Sequence, residues 1–486
     1  MILLIAALIL LLIAGLYHIL TPPSNFPRNI PTIPIWVSFL GFFTPLDQLE
    51  IYSQHLEPYL RQHGAAKYFF GGRWNILVQS PDLLSDVLKH ENVFAKSGNQ
   101  KKIPYSVLAA FTGDNVISAH GEAWKLYREV MKPGLQRHDF DVNGIRKNAQ
   151  NLAGLLLEAQ KELQQHKGVA VNPLIQRFAM QALGQTVLGT DFKTLESATS
   201  RIHTIHTQLK MQIFKPLYLT MPFLDRFPIK SRRRARALVD EFEDELVKTV
   251  LEQTEILPED DDMLVSLMKR ARRDGTWTER QFRDNLKIVF IAGHENVQQL
   301  LNSLLYVLAK HPQTQQQLRD EFRVDHDDES MKSSPLLTSV LLETLRLFPP
   351  IPQLVNRKTT AAVLLGNIPI PKDTYVGWTA TGAHRDTAAW GSNAEEFQPE
   401  RWGNTPEQIH GNMRKHTSKS QFIPFHGGRR ACLGQNFAML EVRAAIVELL
   451  RISRWRFEEE DATVKFTPGG LLAPMGMRLV FEDLKA

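Results

Sequence analysis

The chain has 486 residues, 43% of them hydrophobic, and 57 Lys and Arg against 52 Asp and Glu leave a net charge of +5. This size suits one large buried globular unit or two domains, while the modest charge and the lack of any nucleic-acid motif argue against DNA or RNA as a partner. The single cysteine excludes an intrachain disulfide framework and a four-cysteine metal centre.

Residues 2–17 hold no charged or strongly polar side chain, and the apolar run continues through His18 to Leu20. Nineteen helical residues span about 28 Å, close to the roughly 30 Å hydrocarbon core of a bilayer. A membrane anchor is therefore expected over residues 1–20. A cleaved signal peptide fits less well, because no Lys or Arg precedes the run and no clear Ala-x-Ala site follows it. The first basic residue, Arg28, comes after the run, which favours a cytosolic body, and no Asn-x-Ser/Thr sequon occurs. Residues 21–35 carry Pro22, Pro23, Pro27, Pro31 and Pro34. Proline lacks the amide proton and fixes φ, so this stretch reads as a semi-stiff linker in front of a body over residues 36–486.

In that body, Trp124 and Arg128 place an indole N–H and a guanidinium one turn apart on one helix face. Residues 217–227 are apolar and precede the basic run 230–236, a pattern that suits either a membrane-dipping loop or a core loop before a solvated helix. Thr278-Glu-Arg-Gln281 is a capping box, and apolar spacing then persists to Lys310-His-Pro312. The expected helix has about 32 residues and a length near 48 Å. Gly293 lies mid-helix, where it costs about 1 kcal/mol relative to alanine, so close approach of a flat group is expected there. Ser334-Pro335 starts another helix, in which Glu343 and Arg346 share a face. Strand-like runs at 363–370 and 478–481 come late, and no internal repeat divides the chain. The architecture expected is a single, mainly α domain with small β-sheets.

The lone Cys432 lies in Phe425-His-Gly-Gly428-Arg-Arg430-Ala-Cys432-Leu-Gly434. It is a buried hydrophobe, a nucleophile or a thiolate ligand, and its neighbours favour the ligand. Glycines allow close backbone approach to a flat group. Arg429 and Arg430 are expected to lower the thiol pKa and to pair with an anionic cofactor edge. A helix over 435–450 would direct its N-terminal amides toward the sulfur.

The Phe425-x-x-Gly428-x-Arg430-x-Cys432-x-Gly434 string resembles the haem-binding loop of the cytochrome P450 family, whose haem iron takes a Cys thiolate. The resemblance extends from Trp124 to Glu441, in the family's order and approximate spacing. It implies a P450-type catalytic domain behind the anchor, with haem b ligated by Cys432 and electron donation from the thiolate favouring O–O cleavage. Ala292-Gly293-His294-Glu295-Asn296 resembles the family's oxygen-side segment, in which an acid and the alcohol after it organise a proton relay. Glu295 matches the acid, but Asn296 stands in place of Thr, and an amide does not relay a proton as a hydroxyl does. Trp124, Arg128, Arg357 and Arg430 match the family's propionate-binding residues, and His120 is a further candidate. Glu343, Arg346 and Arg401 match its structural network, and His384-Arg385-Asp386 is a family-like landmark without a catalytic role.

By the same resemblance, electrons come from NADPH through the flavins of a NADPH–cytochrome P450 reductase docking near Arg414, Lys415, Lys419 and Arg429. The site is the endoplasmic reticulum membrane, single-pass, with the catalytic domain cytosolic. Segments 101–116, 291–294, 350–355 and 471–472 would bound a small, largely apolar substrate, with His294 and Gln353 as polar contacts. The Gly-His-Glu-Asn variant is similar to that of some fungal members that oxidise amino-acid- or peptide-derived specialised metabolites. Three functions stay open at this level: monooxygenation with O2; coupling, desaturation or ring formation; and a non-catalytic haem-carrying membrane protein for binding or sensing.

Overall fold

In the computed structural model, the described residues are 15, 17, 19–163, 166–258, 261–323, 328–459 and 463–484. Ten strands are present among them: β1 (Ala65–Phe70), β2 (Arg73–Val78), β3 (Phe94–Lys96), β4 (Val169–Ala170), β5 (Gln353–Thr359), β6 (Val363–Leu365), β7 (Ile368–Ile370), β8 (Tyr375–Thr379), β9 (Ser453–Phe457) and β10 (Arg478–Asp483). They form a five-stranded sheet in the order β1-β2-β8-β5-β3, a three-stranded sheet β4-β10-β9 and the hairpin β6-β7. β1 and β2 are joined by Gly71 and Gly72 with φ of 61° and 76°, the left-handed pair that a tight two-residue hairpin turn requires. β5 carries a register shift between Val355 and Arg357, and Arg357 stays beside Lys96 of β3.

The longer helices are α1 (Glu122–Leu135), α2 (Val142–Lys161), α3 (Val171–Val187), α4 (Arg201–Ile213), α5 (Lys230–Gln253), α6 (Glu279–Lys310), α7 (Pro335–Leu347), α8 (Pro406–Ser418) and α9 (Gln435–Ile452). Helix α6 has the 32 residues that its apolar spacing implies. Its capping box forms: Thr278 Oγ1 accepts from the Gln281 amide, and the Gln281 side chain accepts from the Thr278 amide at 2.8 Å. Helices α3, α5, α7 and α9 pack around α6, so one helix crosses the whole core. The mainly α fold with small sheets is the one expected from sequence, as is Ser334, whose side chain caps α7, whereas the strand-like run 363–370 splits into the two short strands β6 and β7 of a hairpin.

Two expectations meet different outcomes at the N-terminus. The anchor over residues 1–20 falls largely on residues 1–14, 16 and 18, which lie outside the described residues; among the described residues no helix is long and apolar enough to cross a membrane. The proline-rich stretch, expected to act as a spacer, is instead fastened to the body. Lys67 Nζ donates to Pro27 O at 3.0 Å, Asn29 Nδ2 to Asn367 O at 2.8 Å, and the Ile33 amide to Lys67 O at 2.9 Å. Ile30 and Ile33 are buried. The prolines stop a helix but leave carbonyls and apolar side chains free to dock on a sheet edge.

Candidate active site

The Cys432 loop is shaped by its backbone. Gly428 has φ 62°, and the Cys432 amide donates to Phe425 O at 2.9 Å, which closes the loop. Gly434 then starts α9, and its amide bonds to the Cys432 sulfur. The thiol is deep in the molecule yet exposed, because it faces an internal cavity. Burial pushes the thiol pKa up, and the Gly434 amide opposes this. The expected lowering by Arg429 and Arg430 does not occur, since both guanidinium groups turn to the Trp124 ring instead of the sulfur.

That cavity has a volume of about 260 Å3. Phe425, Cys432 and Gly434 line it from the loop, and Ala292, Gly293 and Asn296 line it from α6. Apolar side chains including Val289, Val297, Leu300, Ile351 and Leu354 make most of the remaining wall. Gly428 is absent from the lining and serves the turn. Gly293 has a second reason to be glycine: a Cβ there would lie 2.5 Å from Leu183 Cδ1 of α3.

One edge of the cavity is cationic. Arg430 is ion-paired with Glu91, donates to Ala119 O at 3.0 Å and lies over the Trp124 ring. Arg357 is fully buried, 3.7 Å from Glu91, and donates to Phe94 O at 3.1 Å. Burial lowers its pKa to about 10, with Glu91 opposing and Arg430 assisting. Buried Lys96 is pulled well below the usual lysine range, first by burial and then by Arg357 and Arg430. His120 is lowered by burial and then by Arg430.

Among the described residues Glu91 is the one carboxylate in contact with both arginines, so the edge is short of anions. Arg128 Nε, Arg357 Nε, Arg430 Nη2 and His120 Nδ1 are buried without partners. Buried donors of this kind call for acceptors. A flat group with two carboxylates at one edge and a metal facing Cys432 satisfies them, so the residues present fit haem b.

The oxygen side differs from expectation. Asn296 lines the cavity and donates through Nδ2 to Ala292 O at 3.1 Å. Glu295 and His294 do not line it; both are buried against α4, where Glu295 Oε1 lies 3.1 Å from Lys210 Nζ. Their positions on the helical wheel turn them away from the face that Ala292 and Asn296 present. Gln353 is also absent from the lining, as are Leu471 and Leu472, whereas Val116, Pro350 and Ile351 are part of it.

Beneath the loop, Glu343 binds Arg346 bidentately at 2.8 and 2.9 Å and accepts from Arg401 Nε at 2.8 Å. Trp402 Nε1 adds a bond to Glu343 Oε2 at 3.0 Å. Both ring nitrogens of His384 are committed to the backbone: Nδ1 donates to Arg346 O at 3.0 Å, Nε2 accepts from the Ile423 amide at 2.8 Å, and burial drops its pKa to about 3. Sequence reasoning missed Glu91 and Lys96, which belong to no motif. The one clue to Lys96 is its strand register opposite Arg357.

A family model described as Cytochrome P450 matches residues 31–480. Cytochrome P450 monooxygenase xanG of Aspergillus fumigatus is 40% identical over 478 residues, 96% of this chain and 88% of that protein. Cytochrome P450-DIT2 of Saccharomyces cerevisiae is 42% identical over 473 residues, covering 96% and 95% of the two chains. The crystal structure of a cytochrome P450DA mutant heme domain superposes with a TM-score of 0.76 at 19% identity, over 96% of this chain and 97% of that one, a likeness of fold.

Proposed function

The chain belongs to the cytochrome P450 family, and from that premise we propose that it inserts one atom of O2 into a small, largely apolar specialised metabolite, with electrons drawn from NADPH through a flavoprotein reductase. The observation that carries this reading is Cys432 facing an apolar cavity across from Gly293 and Asn296. Bound haem supplies the redox chemistry, with electron donation from the Cys432 thiolate favouring O–O cleavage. The chain's own residues do the rest. Arg128, Arg357, Arg430 and Trp124 would hold the carboxylate edge. Ala292 and Gly293 leave room above it. Val289, Val297 and Leu300 keep bulk water from the reacting atoms.

Residues 36–486 are read as the catalytic domain and residues 1–20 as a single-pass anchor in the endoplasmic reticulum membrane, with the domain cytosolic. Support comes from an exposed apolar face: Phe43 is 84% exposed, and Leu217, Phe223 and Phe227 are also exposed, with the 216–220 helix packed on the 40–43 helix. The basic run contributes less than its sequence suggests, because Arg232 is buried against Asp225 and Tyr218, while Arg233 and Arg234 stay exposed. Arg414, Lys415 and Lys419 are exposed and support reductase docking on the cysteine side, whereas the Arg429 guanidinium faces Trp124 at the cavity edge.

Asn296 favours a second reading, coupling, desaturation or ring formation, since its amide donates to Ala292 O and relays no proton. Mass-spectrometric comparison of the host with and without the gene separates the two. A lost product heavier than its precursor by one oxygen atom supports monooxygenation. A product differing only by lost hydrogens or by dimerisation supports the second reading.

A further inference from the structure

Helices α4 and α6 bring His206, His294 and Glu295 together on the side of α6 that faces away from the cysteine cavity. All three are buried, and one donor atom from each lies within 4.8 Å of the others. The two imidazole rings meet edge to face at 4.8 Å, and His206 Nε2 is 3.3 Å from Glu295 Oε1. Phe111, Phe242 and Phe290 pack around His206, so no other polar ring serves it. Two polar atoms here, His206 Nδ1 and His294 Nε2, are buried without a hydrogen bond, and Glu295 Oε1 is shared between His206 Nε2 and Lys210 Nζ. Leaving each unmet costs about 1–3 kcal/mol, so the cluster has an unfilled capacity for an electrophilic partner.

The donor chemistry selects that partner. His294 Nδ1 donates to Phe290 O at 2.5 Å, which puts the proton on Nδ1 and leaves Nε2 with a lone pair. This is the carbonyl-backed imidazole that metal sites use to orient a ligand. Both imidazoles are buried, and the Glu295 carboxylate is paired with the Lys210 ammonium. Two imidazoles and one carboxylate are a zinc-type donor set. Tetrahedral ligation needs donor atoms about 3.4 Å apart, so closure asks for a contraction of little more than about 1 Å. Rotation of the His206 ring, whose Nδ1 has no hydrogen-bond partner and whose Nε2 already faces Glu295, supplies it. Lys210 Nζ, 3.1 Å from Glu295 Oε1 on a side chain 23% exposed, is the competing cation and has a path to solvent.

We propose that His206, His294 and Glu295 form a binding site for one divalent transition-metal ion of the Zn2+ class, which ties α4 to α6 and displaces the Lys210 ammonium. The site is separate from the haem thiolate and does not rest on the substrate reading.

The test uses the full-length holoenzyme, treated with chelator, dialysed and titrated with Zn2+, with bound zinc and haem iron counted by elemental mass spectrometry. One zinc per haem is expected, with a dissociation constant near or below about 1 μM. His206→Gln and Glu295→Gln should each weaken binding by about tenfold or more, and Lys210→Met should tighten it by about tenfold by removing the competing charge. The reduced carbon monoxide spectrum of each variant checks that the fold and the haem site persist. Zinc bound equally by the wild type and all three variants would mark adventitious surface histidines and overturn the proposal. No zinc bound by either wild type or Lys210→Met would also overturn it, leaving water as the occupant.

Discussion

The Arg430 guanidinium lies 3.8 Å from the centroid of the Trp124 ring. Arg128 and Arg429 face the same ring at 5.7 and 5.4 Å, so one indole collects three cations at the cavity edge. Stacking on the ring relieves part of their mutual repulsion, and the remainder is a standing demand for anions. Arg430→Leu should therefore weaken haem retention by roughly 10- to 100-fold, the loss of a charge-assisted bond of about 1.5–3 kcal/mol. The ratio of haem to protein after dilution and gel filtration measures it. Retention equal to wild type would remove Arg430 from the propionate edge.

Cys432→Ser should keep the fold and lose the thiolate-type absorption of the reduced carbon monoxide complex. A hydroxyl does not supply the soft anionic sulfur donor. Persistence of the wild-type band would exclude Cys432 as the iron ligand.

Glu343 is fully buried and serves Arg346, Arg401 and Trp402 at once. Glu343→Ala leaves two guanidinium groups without their counter-charge and should cost about 3–5 kcal/mol. Trp402→Phe removes one donor to a carboxylate and should cost about 1.5–3 kcal/mol. Urea denaturation midpoints report both, and the larger loss is expected for Glu343→Ala.

Gly293→Ala drives a methyl toward Leu183, 2.5 Å from its Cδ1. Overpacking costs about 1–3 kcal/mol, offset by about 1 kcal/mol of helix propensity. A net loss is expected in the wild-type background and a net gain once Leu183→Ala makes room. A loss that survives in the Leu183→Ala background would place the constraint on the cavity side of the helix.

Glu441 of α9 is buried, both its oxygens lack partners, and burial raises its pKa well above the usual carboxylate range. The folded protein therefore holds the proton while the unfolded chain releases it near pH 4.3, so stability falls as pH rises between the unfolded and folded pKa values. The slope from this group is about 1.4 kcal/mol per pH unit within that window. Glu441→Gln, which mimics the neutral acid, should flatten the slope and stabilise the protein at pH 7 relative to wild type. Parallel denaturation curves at pH 5 and pH 7 check it; an unchanged slope would show that Glu441 is ionised in the folded state.

Much of this was readable in residues close together along the chain. The Thr278 and Ser334 caps, the length of α6 and the turn at Gly428 follow from hydrogen bonds and φ preferences spanning at most a few residues. The Cys432 loop pointed to the cofactor through its resemblance to the family's haem-binding loop, because the residues that carry it sit within ten positions. The Glu343 network was legible as a motif, although the part played by Trp402 was not.

Contacts between distant segments were another matter. Glu91 meets Arg430 across 339 positions, Lys96 becomes a neighbour of Arg357 only through the pairing of β3 with β5, and the sidedness of α6 sends Glu295 to Lys210 instead of the cavity. Electrostatic coupling and burial depend on distance in space, and long-range packing sets that distance. For the same reason the cysteine thiol is raised and not lowered: the arginines beside it in sequence are pulled aside by Glu91 and Trp124. Local chemistry favoured a thiolate ligand at Cys432, and the family resemblance carried by ten adjacent residues named the cofactor; the packing of α4, α6 and the five-stranded sheet chose which charged groups attend them.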